Sequence, residues 1–109
     1  MAINNTLVPA VSDEIYTSSG TTAVTAVYFC NNTATNPVTL NVYVAPMGTT
    51  APGVDPMYQI VQNVSIASGD SYQLGDFNGN GMKFVLDNGD FIAADCDDTI
   101  AVTVVYVPV

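Results

Sequence analysis

Histidine and tryptophan are absent, and a single basic residue, Lys83, stands against ten acidic ones. Without histidine the commonest general base is missing, and Ser/His and Cys/His nucleophilic arrangements are excluded. With one cation the chain cannot neutralise a run of phosphates, so a nucleic-acid partner is not expected. An anionic membrane surface is disfavoured for the same reason. No stretch reaches the ~20 apolar residues of a membrane span. The opening "MAINNTLVPAVSDEIY" has no basic n-region and no long apolar run, so it reads as the start of a protein made in the cytoplasm without a secretory signal. The two cysteines, Cys30 and Cys96, fit neither a zinc spacing nor a C-x-x-C redox pair. They read as small, half-buried residues at strand ends rather than as a disulfide. The aspartates beside Cys96 oppose a thiolate there.

Charged residues make up only 10% of the chain, against a typical ~25%. Thr, Asn, Ser and Gln therefore carry most of the solubility, and a surface so poor in charge suits packing against neighbours. Hydrophobic residues account for 49%, which excludes general disorder, and 109 residues suggest one domain. The apolar positions alternate and are interrupted by turn residues at short intervals, the mark of many short strands. Strands are expected at 14–18, 21–32, 36–46, 57–67, 71–74, 82–86, 91–94 and 99–109. Over 36–46, Val38, Leu40, Val42 and Val44 share one face, bracketed by Pro37 and Pro46. Over 21–32, strict alternation puts Val24, Ala26, Tyr28 and Cys30 on one face and Ala23, Val27 and Phe29 on the other. In 57–67 it groups Ile60, Val64 and Ile66. The expected fold is an all-β, antiparallel sandwich of seven or eight short strands, jelly-roll or immunoglobulin-like.

One stretch, "GDFNGNGMKFVLDNGD" (75–90), imitates a calcium loop. Asp76, Asn78, Asn80, Gly81 and Asp87 fall at positions 1, 3, 5, 6 and 12 of the pattern D-x-[DN]-x-[DN]-G-x5-E. The twelfth position lacks the longer Glu that gives bidentate reach. A strand at 82–86 would also extend over ~16 Å and carry Asp87 away from Asp76. The stretch reads as two turns flanking a strand, with Asp76, Asn78, Asn80 and Asp87 as weak calcium candidates and no cofactor expected. "DCDD" (95–98) is a second weak cation candidate. Asp87 with Asp90, or Asp95 with Asp97, could in principle pair for glycoside hydrolysis. Both pairs fall in turn-like sequence, and no tryptophan is available to line a sugar cleft, so they read as solvated turn aspartates. Sequons at Asn4, Asn31 and Asn63 are chance matches in an Asn/Thr-rich chain that shows no secretory signal.

"VYFCNNTATNPVTLNVYVAP" (27–46), "IASGDSYQL" (66–74) and "FVLDNGDFIAA" (84–94), in that order, resemble a small β-sandwich type of tailed-phage virions. That type includes head decoration (cement) proteins and tail or fibre accessory proteins. The "DFNGNG" connection departs from the pattern. The resemblance implies a non-enzymatic structural protein on the capsid exterior, made in the host cytoplasm. It would be a homotrimer whose partners are the major capsid protein or other virion proteins. Two regions are the candidate contacts. An N-terminal arm, residues 1–11 with Ile3, Leu7 and Val8, has no core role legible in the sequence and could add a strand to a neighbour. The loop 47–58, with Met47, Pro52, Val54, Met57 and Tyr58, offers apolar side chains. The alternatives are a tail, neck or fibre component, or a carbohydrate- or receptor-binding module. The last should cluster its aromatics, whereas the six tyrosines here are spread over separate strands.

Overall fold

In a computed structural model, residues 2–33, 35–75 and 84–109 are described. The period-two pattern becomes nine strands: β1 (Ala2–Val8), β2 (Asp13–Thr17), β3 (Thr22–Cys30), β4 (Val38–Ala45), β5 (Gln59–Ile66), β6 (Ser71–Gly75), β7 (Phe84–Leu86), β8 (Phe91–Cys96) and β9 (Ile100–Pro108). One short 3-10 turn, Pro56–Tyr58, precedes β5. Among the described residues no helix is long and apolar enough to cross a membrane.

The strands form two antiparallel sheets, ordered β1-β9-β3-β6, with β7 also on β3, and β2-β8-β4-β5. The pairs nest: β1 with β9, β2 with β8, β3 with β6 and β7, β4 with β5. The chain is thus one long hairpin, rolled so that β3 also meets β9 and β4 also meets β8. With β6 and β7 as two pieces of one strand position, this is the eight-position jelly roll and not the immunoglobulin order. The β-sandwich expectation holds, and the open choice between topologies falls to the jelly roll.

Between the sheets lies one apolar layer. Val24, Val27, Phe29, Val102 and Val104 from the first sheet meet Leu40, Val42, Ile92 and Ala94 from the second. Leu40 is wholly buried, and truncating such a leucine to alanine costs about 2–5 kcal/mol. Tyr16 and Tyr106 meet across the two sheets with ring centroids 4.8 Å apart.

Three features depart from the sequence expectation. First, residues 2–8 are not an arm but a full strand, in register with β9 from Ala2↔Tyr106 to Val8↔Ile100. Val8 is completely buried in the chain's own core and is not an interface residue. Second, β3 is bulged between Val24 and Ala26. The extra residue shifts the phase, so Val24, Val27 and Phe29 all face the core, where strict alternation separates them. Third, β5 changes register twice against β4, with Asn63 at φ 53°. Val61 therefore turns inward with Val64 and Ile66, and Ile60 is left exposed. Asparagine tolerates this left-handed conformation better than most residues.

Candidate interaction surfaces

Strands β1, β3, β6, β7 and β9 contain no charged residue. The second sheet carries Asp13 and Glu14 on β2 and Asp95 on β8. The remaining described carboxylates, Asp55, Asp70, Asp87, Asp90, Asp97 and Asp98, lie in connections. A chain with net charge −9 has therefore kept every described acidic side chain off one of its two sheets. Register assigns the outward positions of that sheet. Leu7, Ala101, Cys30 and Ser71 form one row, Asn5, Thr103, Tyr28 and Gln73 the next. Exposed apolar side chains fall at the margins: Ile3 (62%) and Leu7 (58%) on β1, Val85 on β7, and Val109 after β9. The middle, Ala26 with Val105, is buried.

The second sheet's outer face carries a small apolar cluster of its own. Tyr43, Ala45, Phe91 and Ala93 are covered by Val54, with Ala51 and Tyr58 packed against them. Hydrogen bonds hold this lid. The Gly53 N–H donates to the Ser12 carbonyl at 2.7 Å, and the Val54 N–H to Ser12 Oγ at 2.7 Å. Asp55 accepts from the Met57 N–H and so caps the 3-10 turn. Val54 thus plugs the protein's own surface and is not available to a partner. Tyr58 is half-buried in the same cluster, while Met47, Pro52 and Met57 are exposed. Gly48, Thr49, Thr50, Gly53, Asp55, Met57 and Tyr58 line a depression of about 370 Å³ on the lid. Beneath it, Tyr43 OH donates to Asp95 Oδ2 at 2.7 Å and Asn41 Nδ2 to Asp95 Oδ1 at 2.8 Å. Burial, and then the Asp95 carboxylate, push the Tyr43 phenol up to about 12.

Three of the aspartates considered for acid–base or cation chemistry, Asp90, Asp95 and Asp97, are occupied by the fold. Asp90 accepts from the Asp87 and Met47 backbone N–H groups, closing the β7–β8 turn. Asp97 accepts from the Thr39 N–H. Asp95 holds the Tyr43–Asn41 pair. Asp87 sits in the β7–β8 turn, whereas Asp76, Asn78 and Asn80 lie outside the described residues. Among the described residues no three metal-ligating side chains converge. Burial raises the Cys96 thiol above its ordinary range, with the neighbouring Asp97 and Asp95 adding to it, and both cysteines are free.

Two polar residues do structural work that the sequence reading missed. Asn31 is wholly buried. Its Nδ2 donates to the Asn36 and Ile66 carbonyls, and its Oδ1 accepts from Thr33 N–H and Oγ1. Asn41 Oδ1 accepts from Gln59 Nε2 and from the Asn63 N–H, fixing the β5 irregularity. The signal was available: asparagine beside a strand end commonly bonds local backbone. Nothing in the linear sequence marked which asparagines would be buried.

Comparison with protein-family models, with curated proteins and with solved structures finds no match.

Proposed function

We propose that this chain is a non-enzymatic structural protein of a virion, a capsid decoration protein that stabilises a phage head by bridging capsid subunits. The observation that carries the reading is the segregation of charge: one whole sheet of an acidic protein is uncharged and carries exposed apolar residues at both margins. Depletion of charged residues is the compositional mark of an interface core, and the acidic remainder keeps free copies soluble. The jelly roll is among the architectures used by capsid domains, which supports the reading by analogy alone. The mechanism is mechanical. Each contact that exists only in the assembled shell adds to the free energy needed to pull it apart. The bound form is a homo-oligomer, with the trimer implied by the resemblance the first state to test.

Imaging labelled protein on intact particles tests the proposal. A regular lattice of label over the head is expected; label confined to the tail or one vertex moves the protein to a tail, neck or fibre role. The depression at Thr49, Asp55 and Tyr58 favours a second reading, a carbohydrate-binding module, because an aromatic edge beside a carboxylate suits sugar hydroxyls. Chemical-shift changes confined to residues 48–58 on adding oligosaccharides would support that reading over the first.

A further inference from the structure

The sandwich has four strand edges, and three of them are blunted. β2 carries Asp13 and Glu14 and is bulged between Glu14 and Tyr16. β5 shifts register twice and has Asn63 in the left-handed region. The edge beyond β3 is split into two short pieces, β6 and β7. Charge, bulges and shortness are the usual devices that keep an edge from pairing with another chain. β1 has none of them. It is seven residues long, regular in register throughout, and free of charge and proline. The first charged residue of the chain is Asp13. Ile3 and Leu7 stand exposed on its outer face, with Asn5 between them held by Thr103 Oγ1.

We propose that β1 is a docking edge whose occupant is β1 of a second copy, paired antiparallel about a two-fold axis at Asn5. The inference stands on the edge itself and does not depend on the virion reading. The sequence of the strand is self-complementary under that operation. Ile3 falls opposite the partner copy's Leu7, Leu7 opposite its Ile3, and Asn5 opposite Asn5, so both exposed apolar side chains are covered at once. Charge selects the same place. Two copies at −9 repel wherever their carboxylates approach, and β1 is the one long, regular edge on which none stands. The two first sheets would then run on as one continuous sheet across the dimer. Seven residues a side is small against the ~20–30 of a standard interface, so the dimer is expected at concentrations on the order of 10–100 µM.

Sedimentation or light scattering of the whole chain, with paired charge variants, tests this. The unsubstituted chain should move from monomer to dimer mass as concentration rises. Ile3→Glu/Leu7→Glu places like charges opposite each other and should hold the monomer. Ile3→Lys/Leu7→Lys should do the same. An equimolar mixture of the two variants should recover dimer mass, because any pairing of positions 3 and 7 across the two β1 strands then joins opposite charges. Should a variant fail to fold, hydrogen exchange of the unsubstituted chain replaces it. Amides of residues 2–8 should slow with concentration while those of β5 do not. A chain that stays monomeric at about 200 µM, well above the range expected for a contact this small, overturns the proposal. So does a variant mixture that stays monomeric, or a trimer indifferent to both substitutions. The trimer result would leave the virion reading standing.

Discussion

At the scale of single residues, the polar side chains that matter most are the ones that close backbone gaps. Asn31 satisfies two carbonyls and takes two donors inside the structure, so Asn31→Ala strands buried acceptors. The expected loss is about 2–4 kcal/mol by urea denaturation, larger than for any exposed asparagine. The same geometry uses up the side-chain nitrogen that a sugar would need, so the sequon at Asn31 is structural. Tyr43 gives a second prediction. Its folded-state pKa, about 12, lies above its ordinary value of 10.0. The neutral phenol is thus the form the fold favours. Its contribution is complete below pH ~10, the unfolded value, and is lost as pH rises through ~12. Alkaline unfolding should carry this loss between those limits, and Tyr43→Phe should abolish it. The same variant should also be less stable at neutral pH, because Asp95 Oδ2 loses its donor, by about 1–2 kcal/mol.

Among the elements, the irregularities decide the fold as much as the regular strands do. The bulge in β3 lets one strand bury Val24 at one end and Val27 and Phe29 at the other. Deleting Thr25 should remove the bulge and leave Val24, Val27 and Phe29 in phase, whereas deleting Tyr28, beyond the bulge, should turn Phe29 out of the layer. A missing or non-cooperative unfolding transition by circular dichroism is expected of the Tyr28 deletion and not of the Thr25 deletion, since only the former slips apolar residues to the other face. In β5, Asn63→Gly should be close to neutral. Asn63→Val should cost about 1–3 kcal/mol, because a β-branched residue is strained at positive φ.

Over the whole molecule, charge is the organising quantity. Nine described carboxylates surround one uncharged sheet, and a single lysine opposes them. Self-repulsion in a compact acidic body is long-ranged and screened by salt. The melting temperature should therefore rise between low salt and ~0.5 M sodium chloride. A flat or falling trend would mean that the acidic groups are already neutralised by a bound partner or cation. Pairings that join the chain's first strand to its last also make contacts of long sequence separation, for which folding in milliseconds to seconds is expected by stopped flow.

The linear sequence by itself determined the fold class, the single layer of alternating aliphatics, the turns and the near-absence of positive charge, because period-two patterning and composition are local properties. It also placed β4 and β9 almost to the residue, since proline or turn residues bracket uninterrupted alternation. Only the tertiary structure decided the rest. Residues 2–8 contain Asn4, Asn5 and Thr6, which weaken the apolar signal, and their strand character comes from the β9 neighbour that pairs with them. Val8 and Val54 look like free apolar side chains in the sequence, yet one faces the core and the other plugs the second sheet. The jelly-roll order was equally out of reach. Which strands meet depends on how the long hairpin rolls, a property of contacts between distant residues rather than of any stretch of chain.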